Sequence, residues 1–283
     1  MDIGIGLPTT LPVDGPAVVD WARRAEDRGF SALATIDRLV YPNYDSLVAL
    51  AAAAGATSRI ALFPDILLAP AYPPVWLAKA TGSLQALSGG RLTLGLGVGG
   101  RPDDFAAVDR PFEQRGRLMD ETLELLHQAW AGEPVAGGEF AVTPAVPGGK
   151  VPILVGGNGP AAVRRTVTWG DGWTIGGAPP QLAAEAAEKV RAAWRDAGRV
   201  GEPRLAALTY FGFGDDATLG ESLRGYYGFL GDRAEFVVAG AVTTPAEAKQ
   251  RADDFAAAGF TDLMFDPAVP GLDQIDRLAD AVL

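Results

Sequence analysis

The chain has no cysteine and a single histidine among its 283 residues. Without cysteine it has no disulfide, no thiolate nucleophile and no thiolate-bound metal. His127 alone does not match the sets of nitrogen ligands that zinc and iron sites use, and only an all-carboxylate magnesium site stays open. The composition therefore predicts no metal centre.

Basic residues and long apolar runs are also scarce. Lysine and arginine number 24 against 35 acidic residues, which gives a formal net charge of −11. Nucleic acids and anionic membranes both favour basic surfaces, so neither is expected as a partner. The longest apolar stretch, around residues 47–56, is too short to span a bilayer, and the amino terminus does not resemble a signal peptide. We expect a soluble, cytoplasmic protein that acts on a small molecule.

Short strand-like runs alternate with longer helical patterns along almost the whole chain. Strands are predicted at residues 3–7, 32–36, 60–68, 92–98, 153–155, 172–175, 205–211 and 262–265. Helices are predicted at residues 17–29, 45–57, 74–88, 115–131, 160–169, 180–197, 218–230, 245–258 and 272–282. Eight βα units in about 250 residues are typical of a (β/α)₈ TIM barrel. We predict one α/β barrel domain over residues 1–283, with an irregular excursion at 133–152; a doubly wound open sheet is the alternative.

Two of the predicted strands have glycine along one face. Residues 92–99 place three glycines on one side, and residues 3–7 place two. Bare backbone leaves room for a flat ligand at the barrel mouth, where TIM barrels hold their active sites. Tight packing against bulky neighbours explains the pattern equally well. The sequence leaves both interpretations open.

Two glycine-rich segments are candidates for binding a phosphate. Residues 95–100 match G-x-G-x-x-G, but that motif must lead directly into a helix, with an acid at the end of the next strand. Here it runs into Arg101-Pro102, and we reject a dinucleotide fold. At residues 156–160 three glycines precede a proline at the likely start of a helix, where uncovered amides favour an anion. An ordinary tight turn is the alternative.

Charged and aromatic residues follow the second and third strands. Asp37 ends the second strand, and Arg38, Tyr41 and Tyr44 come shortly after it. Asp65 follows a proline inside the third strand, and a proline there predicts a bulge or a break. These side chains are candidates for the active site.

Seven segments together resemble the bacterial luciferase-like superfamily of flavin- and deazaflavin-dependent oxidoreductases. They are residues 25–30, 36–37, 56–62, 87–99, 114–117, 152–159 and 170–173. Each segment is short, but their order and spacing cover nearly the whole chain.

This resemblance implies a barrel that binds coenzyme F420 or FMN, and overall similarity favours F420. It implies a non-prolyl cis peptide at Asp65–Ile66, behind the cofactor ring, and a homodimer; a separate reductase could supply the reduced cofactor. The implied cofactor-binding residues are Asp37, Asp65, Ile66, Gly97, Val98, Gly99, Gly156, Gly157, Asn158 and Gly159.

Two positions depart from the family. Arg38 stands where relatives commonly have histidine, and Gly100 stands where deazaflavin-dependent dehydrogenases have an acid. Alcohol oxidation is therefore the less favoured direction. We predict an oxidoreductase that uses a reduced cofactor for hydride transfer to, or oxygenation of, a small organic substrate. Arg38 would stabilise negative charge in catalysis, and Tyr41 and Tyr44 would face the substrate.

Three alternatives stay open. The protein could be specifically an FMN-dependent monooxygenase, or a non-catalytic luciferase-like subunit. It could also be a cofactor-free barrel lyase or isomerase, if Asp37 and Asp65 lie close together and their pKa values differ.

Overall fold

The computed structural model describes all 283 residues, Met1–Leu283. Its strands are β1 Asp2–Gly6, β2 Ala32–Thr35, β3 Ala61–Pro64, β4 Leu67–Leu68, β5 Leu94–Gly97, β6 Ile153–Gly156, β7 Gly172–Gly176, β8 Arg204–Phe211 and β9 Asp262–Pro267. Its α-helices are α1 Gly15–Arg28, α2 Ser46–Ala56, α3 Pro74–Leu87, α4 Pro102–Ala106, α5 Arg115–Trp130, α6 Pro160–Trp169, α7 Pro180–Asp196, α8 Asp216–Tyr227, α9 Ala234–Ala239, α10 Pro245–Ala257 and α11 Asp273–Val282. No helix is both long enough and apolar enough to cross a membrane.

All neighbouring strands pair in parallel, in the order β3-β2-β1-β9-β8-β7-β6-β5-β4. The first and last members of this order, β3 and β4, are separated by only two residues and form one broken strand. The sheet therefore returns to its starting point and makes a nearly closed barrel. This confirms the predicted TIM barrel, and the doubly wound alternative is wrong.

The third barrel strand contains one more residue than its neighbour. Leu62 bridges Leu92, and five residues later Leu67 pairs with Leu96, only four residues after Leu92. The extra residue is a β-bulge, which places two consecutive side chains on one face. The peptide bond Asp65–Ile66 at this point is cis, as the resemblance implies.

Helices cover the outside of the barrel, and their ends follow the expected local rules. The carboxyl group of Asp14 accepts the amide N–H of Ala17 at the start of α1, and Gly29 ends that helix in the left-handed conformation at φ 91°. Thr244 and Glu247 form a reciprocal capping box at the start of α10. Such caps satisfy backbone groups that a helix end leaves without partners.

The two largest apolar clusters lie on opposite faces of the sheet. The larger cluster lies between the strands and the surrounding helices and contains 55 buried residues. A smaller cluster includes Phe63, Leu154, Leu208 and Met264, which face the inside of the barrel. The barrel interior is thus a packed core, as in other TIM barrels.

The glycines of the first and fourth barrel strands give room to neighbouring side chains and backbone. A Cβ atom added to Gly4 would lie 2.3 Å from Sδ of Met264, and one added to Gly95 would lie 2.4 Å from the carbonyl oxygen of Pro64. Both distances are far below van der Waals contact. At these positions tight packing, and not an open ligand site, explains the glycine pattern.

The sequence missed some short elements. Residues 133–152 contain no strand and no α-helix, as predicted, apart from a 3₁₀ turn at Pro147–Gly149. The short helices α4 and α9 were not predicted. Helix α8 ends at Tyr227 and not at residue 230, because a 3₁₀ turn, Gly228–Arg233, follows it.

Candidate active site

A cavity of about 370 Å³ opens at the carboxyl ends of the barrel strands. It is lined by Ile36, Asp37, Asp65, Ile66, Leu68, Val98, Gly99, Gly100, Arg101, Gly156, Gly157, Thr174, Gly176, Leu208, Tyr210, Tyr226, Tyr227 and Phe229. TIM-barrel enzymes place their active sites at this end. The cavity is therefore the candidate active site, and it includes seven of the ten residues predicted to bind the cofactor.

The side chain of Ile66 forms an apolar floor beneath this cavity. A Cβ atom on Gly97 would lie 1.9 Å from Cδ1 of Ile66, and one on Gly156 would lie 3.1 Å from the same atom. Glycine at both positions lets the isoleucine lie flat against the backbone of β5 and β6. Gly97 thus contributes space under Ile66 and does not itself line the cavity.

Asp65 is a buried acid at the edge of this floor. Its Oδ1 accepts a hydrogen bond of 2.8 Å from Oγ1 of Thr174, and its Oδ2 has no partner. Strands β3 and β7 are not neighbours in the sheet, so this hydrogen bond crosses the barrel interior. Burial raises the pKa of Asp65 to about 7, although the Thr174 hydrogen bond opposes the shift. The carboxyl group can therefore hold a proton near neutral pH.

Asp266, on β9, is a second buried acid near Asp65. Its Oδ1 has no hydrogen-bond partner. Burial, followed by the charge of Asp65, raises the pKa of Asp266 well above its usual range. Neither carboxyl group takes part in an ion pair. The mouth of the barrel therefore holds two buried acids that form no ion pair.

Asp37 lies at the end of β2 and is only 3% exposed. Its carboxylate accepts hydrogen bonds of 3.0 Å from the backbone N–H of Leu68 and from the hydroxyl of Tyr72. Burial raises the pKa of Asp37 to about 6, and these two donors limit the rise. Asp37 thus joins the end of β2 to β4, and it also lines the cavity.

The predicted phosphate turn lies between two cavities. Gly156 and Gly157 line the larger one, and Gly157 also lines a second cavity of about 210 Å³ together with Asn158 and Lys189. Gly159 is the N-cap of α6 and offers no side chain to its amides. The amides of Ala162 and Val163 donate to the carbonyl of Gly159, which leaves the N–H of Ala161 as the donor that the first turn can offer to an anion.

Arg38 does not line the cavity. It donates a hydrogen bond of 2.9 Å from Nη2 to Oδ2 of Asp103, and its Nε lies 3.5 Å from Oδ2 of Asp104. The buried Asp104 also accepts the backbone N–H groups of Leu39 and Val40. The charge of Arg38 is balanced by two carboxylates, and the arginine fastens the segment after β2 to α4.

The two tyrosines predicted to face a substrate also lie outside the lining. The ring of Tyr41 packs edge-on against Tyr226, with 5.2 Å between the ring centroids. The hydroxyl of Tyr44 donates to the backbone carbonyl of Val13 at 2.8 Å. Tyr226, at the end of α8, occupies the wall in their place.

Arg101 is the cation that lines the cavity, and the sequence interpretation did not select it. It is 7% exposed and belongs to the connection between β5 and α4. The carbon centre of its guanidinium lies 4.0 Å from the ring centroid of Phe229 and 4.6 Å from that of Tyr226. Its place directly after Gly99 and Gly100, which follow β5, was the available signal. Nothing in the sequence indicated the aromatic residues, because they come from α8 and the turn that follows it.

Comparison with known proteins identifies a family. The sequence profile of the family described as luciferase-like monooxygenase matches residues 1–266. An uncharacterized protein of Mycobacterium tuberculosis is 31% identical over 221 residues, which cover 68% of this chain and 76% of that protein. The F420-dependent glucose-6-phosphate dehydrogenase of Nakamurella multipartita is 31% identical over 197 residues, or 64% of this chain and 58% of that enzyme.

A solved structure extends the likeness to the whole fold. An F420-dependent secondary alcohol dehydrogenase, in complex with an F420-acetone adduct, has a TM-score of 0.81 to this chain at 18% identity. The match covers 99% of this chain and 98% of that one. At such low identity it shows the shared fold alone.

Proposed function

The chain belongs to the luciferase-like monooxygenase family, and we propose that it is an oxidoreductase that uses a reduced flavin-type cofactor. The cofactor is F420 or FMN, and the similarity to F420-dependent relatives favours F420. The reaction is hydride transfer to, or oxygenation of, a small organic substrate. The observation that carries the proposal is the apolar floor of Ile66 next to an open, glycine-rich helix start.

The residues at the barrel mouth fit such a group. A flat ring needs an apolar surface, and Ile66 provides one because Gly97 and Gly156 lie beneath it. A phosphate needs donors at the end of a short linker, and the turn at Gly157 lies where the two cavities meet. The second cavity is lined by one cation, Lys189, and one acid, Glu185. We propose that the ring lies in the larger cavity and the phosphate at this turn.

Each residue of the lining then has a physical task. The cofactor, when bound, supplies the reducing electrons, and the protein orients it and excludes water. Val98 and Gly99 bound one side of the ring site, and Ile66 bounds the floor. Asp65 holds a proton at Oδ2, since its pKa of about 7 is set by burial. Asp37 keeps the second and third strands together at the edge of the site.

A titration tests the proposal directly. Purified protein is titrated with F420 and with FMN, each oxidised and reduced, and cofactor absorbance and fluorescence are followed. We expect micromolar binding of one of them. Gly157→Ala should weaken that binding at least about tenfold, because Gly157 has φ 114° and a side chain there distorts the turn.

Gly198→Ala is the matched control. Gly198 also has positive φ, at 67°, and lies after α7, at the amino-terminal end of β8. Gly198 lies in the left-handed region that other residues tolerate, so its backbone cost is the smaller of the two. Urea denaturation of both variants therefore separates lost stability from lost cofactor affinity. Absence of binding by either cofactor would overturn the proposal and favour a non-catalytic subunit or a cofactor-free enzyme. Catalysis that persists after complete cofactor removal would single out the latter.

A further inference from the structure

Two arginines near the barrel mouth differ in how their charge is balanced. Arg38 has two carboxylates within ion-pairing distance. Arg101 has none, although it is 7% exposed and lines the cavity. A buried cation is costly unless a charge or a full set of hydrogen bonds compensates it. The charge of Arg101 is therefore not compensated by the protein itself.

The hydrogen bonds of Arg101 are incomplete as well. A guanidinium has five N–H donors. Here Nη2 donates to the backbone carbonyl of Tyr226 at 3.2 Å, and the buried Nε has no partner. This is the only protein acceptor that the guanidinium has. The remaining donors are available to a ligand in the cavity.

Aromatic rings hold the guanidinium in place. The rings of Phe229, Tyr226 and Tyr227 lie 4.0, 4.6 and 5.9 Å from the carbon centre of the guanidinium. Stacking on aromatic faces fixes the plane of an arginine and removes part of the entropy cost of binding. Such a fixed fork matches the two oxygens of a carboxylate.

The surroundings favour a carboxylate over a phosphate. The wall around Arg101 consists of rings, and no second cation lines this cavity. A phosphate dianion needs several donors and charges, whereas one arginine neutralises one carboxylate. Neither acid of the same cavity is hydrogen-bonded to Arg101, whose one protein acceptor is the carbonyl of Tyr226. Asp37 accepts from Tyr72, and Oδ1 of Asp65 accepts from Thr174.

We propose that Arg101 binds the carboxylate of the substrate, so that the enzyme acts on organic acids with an apolar body. The aromatic wall of Tyr226, Tyr227 and Phe229 contacts that body, and the reacting carbon lies toward the floor of Ile66. This inference rests on the proposed function for the presence of a cofactor, but the binding of the acid is measurable without it.

The test compares acids with their neutral counterparts. Benzoate, cinnamate and hexanoate are titrated by calorimetry against benzamide, cinnamamide and hexanamide, with inorganic phosphate as a further probe. Each titration is made with and without the bound cofactor. We expect at least one carboxylate to bind the wild-type protein about tenfold or more tightly than its amide, with phosphate weaker than that acid.

Substitutions then assign the preference to this arginine. Arg101→Met should remove the preference for the acid while the affinities for the amide and for the cofactor stay within about twofold. Arg101→Lys keeps the charge but loses the fork and the stacking, so it should keep only part of the preference. Arg59→Met is the control, because it removes one positive charge from an exposed position after α2.

Three outcomes would overturn the inference. Equal binding of acids and amides by the wild-type protein would do so, and this comparison needs no folded variant. A preference that survives in Arg101→Met would do so too. If Arg101→Met weakens cofactor binding and leaves the acids unaffected, the arginine contacts the cofactor and not the substrate. Failure of both cofactors to bind, with a normal preference for acids, would contradict the proposed function alone.

Discussion

Charged side chains are paired at one end of the barrel interior and unpaired at the other. At the amino ends of the strands, Arg204 and Asp262 begin β8 and β9 and form a two-pronged ion pair, with distances of 2.8 and 2.6 Å. Arg204 also donates to Oγ1 of Thr93 at 3.2 Å. At the carboxyl ends, Asp65 and Asp266 each have a buried oxygen without a hydrogen-bond partner, and neither forms an ion pair.

The amino-terminal end of the barrel interior therefore supports the fold, and the carboxyl-terminal end holds the candidate active site. Buried polar groups in a stable core are almost always paired, and the amino-terminal end of this barrel follows that rule. The carboxyl-terminal end leaves donors and acceptors without partners, including those of Arg101. Substitutions at the first end should therefore change stability, and those at the second should change binding or pH dependence.

The largest effect is expected from Gly172→Ala, at the amino-terminal end of β7. The added Cβ would lie 1.9 Å from the carbonyl oxygen of Arg204, and neither backbone can move without disrupting the sheet. We expect the free energy of unfolding to fall by more than about 3 kcal/mol, measured by urea denaturation. Gly176→Ala is the control on the same strand, because a Cβ there meets nothing within 4 Å. Equal losses of unfolding free energy in both variants would contradict the conclusion that the amino-terminal end of the barrel determines stability.

Arg204→Met should have the next largest effect. It leaves the carboxylate of Asp262, whose side chain is 3% exposed, without its cation. Removal of one partner from a buried pair costs about 3 kcal/mol of unfolding free energy, somewhat less here because Arg204 is itself partly exposed. Arg24→Met breaks an ion pair with Asp276 that is exposed to solvent, and it should lower the free energy of unfolding much less. A similar loss of unfolding free energy in both variants would show that the interior ion pair stabilises the fold no more than an exposed one.

Asp65→Asn tests the carboxyl-terminal end through pH. The pKa of Asp65 is about 7 in the folded protein, against an ordinary value of 3.8. Between these values the folded state keeps a proton that the unfolded chain releases, so stability falls as pH rises from about 4 to about 7. The asparagine variant lacks this contribution and should lose less stability across that window. Asp37 and Asp266, whose pKa values are also raised by burial, should keep a decline in the same direction.

The measurement is urea denaturation at several pH values. Asp20→Asn, on an exposed part of α1, is the control and should leave the slope of stability against pH unchanged. If Asp65→Asn also leaves the slope unchanged, its carboxyl group is not protonated in the folded protein.

The smallest effect on stability is expected from Gly97→Ala. The new Cβ meets Cδ1 of Ile66, the far end of a flexible side chain, which can rotate away at a cost of about 1 kcal/mol. The methyl group then moves into the cavity and should weaken cofactor binding. Adding Ile66→Val removes that methyl group and should restore the affinity, measured by titration. If the double variant does not regain the affinity, Gly97→Ala does not act by displacing Cδ1 of Ile66.

The sequence predicted the fold well because the determining signals are local. Alternating apolar runs marked the strands, and glycines such as Gly29 and Gly259 follow helices and adopt positive φ, which ends a helix at little steric cost. The glycine faces were ambiguous for a physical reason. A missing side chain shows that space is needed, but only the fold shows that Met264 and Ile66 fill it.

The site was harder to predict because it depends on contacts between distant segments. Arg38 and Arg101 both follow strand ends, and nothing in their immediate sequence distinguishes them. Asp103 and Asp104 pair with Arg38 because the barrel brings α4 to the end of β2. Arg101 is left to face the cavity, against rings supplied by a segment more than a hundred residues away. Charge balance, which decides between the two arginines, is a property of the folded chain.

The extra residue in the third strand makes the length of that segment as important as its composition. It lets Asp65 and Ile66 both face the barrel interior, one toward Thr174 and the other over Gly97. Deletion of any one residue between 62 and 67 would restore strict alternation and turn one of these side chains outward. Substitutions in this segment should therefore be tolerated far better than an insertion or a deletion.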